Sequence, residues 1–434
     1  MTDFACYDLS MKIFCSGIGG IGLSAYAAHM RCLGHEVTGT DGSDSETVQD
    51  LLSQGIKVTL VQNAASVPAD TELFVYSEAI PDSSPERKKA TELGIRQMSY
   101  FAALGELTAG TDLIAICGTH GKSSTTAMAA KVFIDAGLDP NVVIGTKTAD
   151  LGGRNWRKGK GNLWIVEACE YRRSFLYLKP TTILLTNTDG DHFDSFKNQD
   201  DYAQAFKEFI SSLPKEGSVI AHGADTHSQE IITAAGKTLI DADTEALPTL
   251  SVPGVHMQQN AQLVLALAKL RQLPQQKTEE SLLGFAGSWR RMEVKGETKL
   301  GVTVIDDYAH HPVEIRATIA AIKAQYPERR LVCVFEPHTN DRIIKLWKDF
   351  TSAFAGVGLV LVTKVFDARP DKDKEPADVA KLAAEIGKTC KVSCRPTGNL
   401  SKTKTALDQL LLNDDVLLIM GAGNSTKLAA AMVA

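Results

Sequence analysis

Apolar residues in this chain gather in short runs separated by longer amphipathic stretches. MKIFCSG, DLIAIC, NLWIVEAC, TTILLTN, RLVCVFEP, GLVLVTKVF and DVLLIMGAG are nearly continuous in hydrophobic residues and too short for helices. Such runs are expected of strands covered on both faces of a parallel sheet. Between them lie stretches with helical periodicity, among them LSAYAAHMRCLG, SSTTAMAAKVFIDAG, MQQNAQLVLALAKLRQL and PVEIRATIAAIKAQ. Strand and helix alternate almost throughout, which predicts layered α/β architecture.

The alternation divides into three blocks, with boundaries expected at residues 1–105, 106–287 and 288–434. The first and third read as Rossmann-like open sheets. The central one reads as a mononucleotide-binding parallel sheet of the phosphate-loop type. The length of 434 residues suits several domains.

Composition narrows the class. Hydrophobic residues make up 44% and charged residues 23%, ordinary for a globular protein, and the net charge of -6 provides no basic field for nucleic acid. The cluster RNWRKGK at 154–160 is expected to be a solvated loop. The 8 cysteines are scattered without a C-x-x-C pair, which suits a reducing compartment. No apolar stretch reaches the roughly 18 residues of a membrane span, and MTDFACYDLSMK is too polar for a signal peptide. A cytoplasmic protein without membrane insertion or nucleic-acid partner is expected.

Two glycine loops carry the first chemistry. Gly17-x-Gly19-Gly20-x-Gly22 follows a strand and opens a helix, and Asp41 ends the next strand. Glycines permit close backbone approach to a diphosphate, the helix start attracts it, and the acid suits a ribose hydroxyl. The pattern fits NAD and a UDP-sugar equally. The second loop, GTHGKSS, lies between the strand DLIAIC and a helix. Backbone N–H groups of Gly118, Thr119 and Gly121 could wrap phosphate oxygens. Lys122 could reach the β- and γ-phosphates, and Ser123, followed by Ser124, could hold Mg²⁺. This reads as an ATP loop, although the standard spacing would place a glycine where Ile116 stands.

Further polar segments end strands, where an α/β sheet places its ligands. EACEY contributes Glu167 and Glu170, and TDGDH contributes Asp189, Asp191 and His192. Beside an ATP loop these acids suit a magnesium site; alone they would read as solvated loops. DDYAHHPVE at 306–314 and EPHTNDR at 336–342 end later strands, and GAGN at 421–424 is either a further ligand loop or a plain turn.

In order, GIGGIGLS, YSEAIP, GTHGKSSTT, EACEYRRSFL, LTNTDGDHFD, F-x-G-x-x-R-R, DDYAHHPVEI and EPH resemble the Mur ligase family of peptidoglycan synthesis across essentially the whole chain. The family's G-T-x-G-K-[ST] loop accounts for the short spacing. The resemblance implies three domains that bind a UDP-substrate, ATP and an amino acid, and ligation of L-alanine to UDP-N-acetylmuramate through an acyl phosphate. It also implies the residue roles. Lys122 would stabilise the phosphates, and His120 would lie near the reacting groups. Ser123, Glu167 and His192 would ligate Mg²⁺. Asn260 would contact adenine and Asp307 the ATP ribose. Tyr308, His310 and Arg342 would surround the incoming amino acid and acyl group. Gly19, Gly20 and Gly22 would approach the UDP diphosphate, Asp41 the uridine end, and Ser77 and Ala79 the closing loop.

The sequence departs from the family pattern at Met257, where asparagine is usual, at Asn340 in EPHTNDR, and in FDARPD at 366–371. The last two touch the amino-acid side. A recycling ligase of the same family, which adds a murein tripeptide, is therefore the near alternative. An NAD-dependent oxidoreductase would use GIGGIG but leave GTHGKSS unexplained, and a non-catalytic nucleotide-binding module would leave the acidic pairs idle. Both a monomer and a homodimer are compatible with the sequence.

Overall fold

The computed structural model describes residues 10–191, 195–367 and 375–433. Three α/β domains follow one another, each built on its own sheet, as the alternation predicts.

The first sheet contains β1 (Lys12–Ser16), β2 (Glu36–Thr40), β3 (Lys57–Thr59), β4 (Leu73–Tyr76) and β5 (Arg96–Ser99). Its order is β3-β2-β1-β4-β5, all parallel, so the chain reverses direction of travel beside β1. The glycine loop leaves β1 at that switch point.

The second sheet contains β6 (Asp112–Cys117), β7 (Asn141–Thr148), β8 (Arg154–Arg157), β9 (Leu163–Glu167), β10 (Thr182–Leu185), β11 (Ser218–Ala221) and β12 (Leu239–Asp241). The order β12-β11-β10-β6-β9-β7-β8 places β6 centrally between β10 and β9. The EACEY and TDGDH segments therefore leave the sheet on either side of the GTHGKSS loop. Only β8 runs antiparallel in this sheet.

The third sheet contains β13 (Glu293–Glu297), β14 (Thr303–Asp307), β15 (Leu331–Phe335), β16 (Leu359–Thr363), β17 (Ser393–Gly398) and β18 (Val416–Met420), in the order β13-β14-β18-β15-β16-β17. All five residues of β14, β15, β16 and β18 are buried, which accounts for the apolar runs of β15, β16 and β18, whereas β14 ends in the buried carboxyls of Asp306 and Asp307.

Position 105 falls inside the helix Tyr100–Leu107, and position 287 falls between the helix Gln275–Leu283 and β13. One expectation fails. RNWRKGK is not wholly a solvated loop, because Arg154–Arg157 forms the edge strand β8 with Asn155 and Trp156 buried. The helix Ile21–Cys32 of the first domain lies against β7 and β8. There Asn155 donates to Ser24 Oγ at 3.2 Å, and His29 packs on Trp156 and Trp164. Lys147 on β7 pairs with Glu46 at 2.8 Å and with Asp50, both from the first domain.

No helix among the described residues is long and apolar enough to cross a membrane. The described cysteines are all free thiols.

Candidate active site

GTHGKSS is bent by its glycines. Gly118 has φ +132°, and a Cβ there would collide with the Thr186 hydroxyl. Gly121 has φ +82°, and a Cβ there would run into the Asn260 amide oxygen. Both positions combine close approach with backbone that other residues rarely adopt. The helix Lys122–Asp135 starts at Gly121 without a side-chain cap, so its first N–H groups are open to a ligand.

Thr119 shares a 2.8 Å hydrogen bond with the Tyr202 hydroxyl, and His120 N donates to Asn187 Oδ1 at 3.1 Å. Lys122 Nζ folds back on its own loop, donating to Gly118 O at 2.6 Å and Thr119 O at 3.1 Å, and pairs with Glu170 at 3.0 Å. Burial opposes the Lys122 charge, but the carboxylates of Glu170 and Glu167 outweigh it and keep the ammonium protonated. Ser123 Oγ donates to Glu167 Oε1 at 3.0 Å, and Gly145 N donates to Glu167 Oε2 at 2.7 Å. Ser123 and Glu167 thus offer adjacent oxygen donors, the chemistry a hard divalent cation accepts. His192, the third expected metal ligand, lies outside the described residues.

Two cavities open on either side of this loop. The first, about 400 Å³, is lined by Ser124, Met257, Asn260, Asp307 and residues after β10 and β11. The second, about 410 Å³, is lined by Gly20, Gly22, Ser77, Lys122, Ser123, Glu167, Tyr308 and His310. His120, Gly121, Arg291 and Glu314 line both. The two glycine loops therefore face adjoining cavities that share a wall, with the phosphate loop between them.

In the first loop, Gly20 begins the helix Ile21–Cys32 without a side-chain cap. Asp41 closes over this loop, accepting from Gly19 N at 2.8 Å, and a Cβ at Gly22 would strike the Tyr100 ring. Ser77 Oγ receives Ala79 N at 3.4 Å; Ser77 lines the second cavity and Ala79 does not.

Asn260 lies under Gly121, and Met257 beside it is buried, its Sδ 4.0 Å from Asn260 Nδ2. The asparagine expected of the family at 257 is thus replaced by a thioether in the wall of the first cavity. Asp307 uses both oxygens on backbone, from Met292 N and Ala309 N, each at 2.7 Å. Burial pushes its carboxyl up to about 6. Tyr308 is flanked by the Arg290 and Arg291 guanidinium groups. His310 Nδ1 lies 2.9 Å from Tyr308 O, and burial pushes its pKa down to about 4.

Arg342 is buried, with Tyr308 and Glu314 within electrostatic range. Its guanidinium holds Asp191 and reaches His338 Nδ1 at 2.9 Å, and it lines neither cavity. GAGN, open between a ligand loop and a plain turn by its sequence, forms bends that lead into a helix. The Glu336 carboxylate accepts from Ser425 N at 2.8 Å and so occupies the start of the helix Ser425–Val433.

Sequence reasoning assigned no role to Glu314. Its signal was the HHPVE string, in which a proline opens a helix and a glutamate stands three residues after the cap.

Three family models match successive parts of the chain. They are the Mur ligase family catalytic domain over residues 12–111, the Mur ligase middle domain over 116–247, and the Mur ligase glutamate ligase domain over 290–423. The UDP-N-acetylmuramate–L-alanine ligase of Clostridium kluyveri is 36% identical, over 95% of this chain and 96% of its own. That of Lachnospira eligens is 33% identical over 95% of each chain. The solved structure of UDP-N-acetylmuramate–alanine ligase from Thermotoga maritima matches with a TM-score of 0.82 at 25% identity, covering 97% of this chain and 98% of its own. A murein peptide ligase from Psychrobacter arcticus shares the fold, with a TM-score of 0.73 at 20% identity over 98% and 100% of the two chains.

Proposed function

Because the chain belongs to the Mur ligase family, we propose that it joins L-alanine to the carboxylate of UDP-N-acetylmuramate using ATP, a cytoplasmic step of peptidoglycan synthesis. The observation that carries this reading is the pair of glycine loops facing two cavities that share one wall. Such a site suits a reaction in which one nucleotide activates the far end of another nucleotide-linked substrate.

In this reading residues 1–105 hold the UDP-substrate, 106–287 the ATP and 288–434 the amino acid. Gly19, Gly20 and Gly22 lie against the diphosphate, with Asp41 bracing the loop and Ser77 and Ala79 covering it. ATP lies along the first cavity, between Asn260 and Asp307, with its phosphates on Gly118, Thr119, Gly121, Ser123 and Ser124. Lys122 exchanges its loop carbonyls for phosphate oxygens. A carboxylate is a poor electrophile without a good leaving group, so one of its oxygens first attacks the γ-phosphorus, forming the acyl phosphate as ADP departs. The neutral alanine amine then attacks the acyl carbon, phosphate leaves with that oxygen, and the proton lost by the amine nitrogen ends on the phosphate or in solvent. Ser123 and Glu167 are oxygen donors that fit Mg²⁺, with His192 the expected further ligand, and a cation there would neutralise charge on the transferring group. His120 and Lys122 lie where that charge develops. Tyr308 and His310 face the amine side, and Arg342 acts there by holding the third domain in place.

Substrate labelled with ¹⁸O in the carboxylate tests the sequence of bonds. Label is expected in the released phosphate; unlabelled phosphate accompanying amide formation would overturn the acyl-phosphate route.

A further inference from the structure

His120 and Glu314 meet across the cleft between the second and third domains. His120 belongs to the phosphate loop after β6, and Glu314 to the first turn of the helix Pro312–Gln325 after β14. Glu314 Oε2 accepts His310 N at 3.0 Å and His311 N at 3.2 Å. With His311 as cap this forms a capping box, so one carboxylate oxygen is fixed to third-domain backbone. The other oxygen, Oε1, points out of the helix and lies 3.2 Å from His120 Nδ1. The Arg291 guanidinium stands 3.9 Å from the same oxygen.

The carboxylate is ionised. Burial pushes its pKa up, but the His310 and His120 imidazoles and the Arg291 guanidinium outweigh this and hold it well below the usual range. An ionised carboxylate only accepts hydrogen bonds, so the hydrogen on this contact is carried by His120 Nδ1. Nε2 is then the ring atom left for chemistry. It is buried, has no hydrogen-bond partner among the described residues, and lies 4.0 Å from Asp189 Oδ2. His120 and Glu314 are also two of the four residues that line both cavities.

We propose that Glu314 is a positioning residue for phosphoryl transfer: it fixes the ring and tautomer of His120, and does so only while the third domain is docked. A carboxylate that holds an imidazole through Nδ1–H leaves Nε2 aimed at the reacting groups. Here the two partners belong to different domains, 194 residues apart in sequence. Opening the cleft removes Glu314 from the phosphate loop while leaving Lys122, Ser123 and Glu167 together on the second domain. ATP can then bind, but the imidazole is no longer oriented, and turnover is tied to docking of the amino-acid domain. This inference rests on the ATP-dependent reading above.

Glu314→Gln separates the two tasks of the carboxylate. The amide oxygen can replace Oε2 on the backbone and preserve the cap, while the NH₂ group faces His120 Nδ1 and donates to it. The expected result is a loss in kcat of about 10–100-fold, with KM for ATP and UDP-N-acetylmuramate within about threefold. ¹⁵N shifts of the His120 ring, identified by their absence in His120→Ala, should show Nδ1–H in the wild type and Nε2–H in the variant. In a His120→Ala background, Glu314→Gln should change the remaining rate less than about twofold. The same fractional loss in both backgrounds, or unchanged ring shifts in the variant, would overturn the proposal. The ring shifts require no turnover. An inactive wild type with these shifts as expected would count against the ligase reading and support the Glu314–His120 pairing.

Discussion

Arg342 and Asp191 form a side-on ion pair between the third and second domains, with Nε–Oδ1 and Nη2–Oδ2 both 3.0 Å. Both side chains are buried, and 151 residues separate them in sequence. Breaking a buried pair leaves an uncompensated charge, which typically costs about 3–5 kcal/mol. Arg342→Leu is therefore expected to loosen the third domain from the second. X-ray scattering should show a larger radius of gyration, accompanied by lower kcat. An unchanged radius with full activity would show that the pair does not hold the domains.

Lys122 provides the cleanest separation of the two glycine loops. Lys122→Ala removes the cation from the phosphate loop and leaves the first loop untouched. A loss in kcat of about 10³-fold is expected, with UDP-N-acetylmuramate affinity within about threefold by calorimetry. A large loss of that affinity would contradict a scheme with separate loops.

Gly118 tests the shape of the phosphate loop. An added Cβ meets the Thr186 hydroxyl and the Asn187 backbone, and φ +132° strains any other residue. Gly118→Ala is expected to cost about 1–3 kcal/mol locally and to abolish the thermal stabilisation that ATP gives the wild type. Retained stabilisation would mean that the loop tolerates another shape.

His29 links stability to pH. It is buried against Trp156 and Trp164, and burial, helped by the Lys158 charge, pushes its pKa down to about 4. The unfolded chain, with an ordinary value near 6.5, binds the proton more readily between these limits. Stability is therefore lost as pH falls from about 6.5 to about 4, by about 3 kcal/mol at the lower limit. His29→Phe should remove this contribution, so its unfolding midpoint should fall less between pH 7 and pH 4 than that of the wild type. Parallel pH profiles for the two proteins would refute it.

The parts of the molecule legible in the sequence are those written locally. DLIAIC announces a buried parallel strand by its own composition, and GTHGKSS carries loop, lysine and helix start within seven adjacent residues. β8 escaped because a four-residue edge strand has too little alternation to register. Trp156 is apolar for the sake of a first-domain helix far away in sequence. GAGN could be a ligand loop or a plain turn by its sequence, and only folding shows that Glu336 fills its helix start. Glu314 and Arg342 act through partners on another domain, a relation that no spacing along the chain expresses.

Phosphate release from ATP in the presence of Mg²⁺ and UDP-N-acetylmuramate, with L-alanine or the murein tripeptide supplied as the amine, decides whether this chain is an alanine ligase. Release is expected to require both UDP-N-acetylmuramate and L-alanine and to match amide formation. Release only with the tripeptide, or none with either amine from folded protein, would contradict the alanine-ligase assignment.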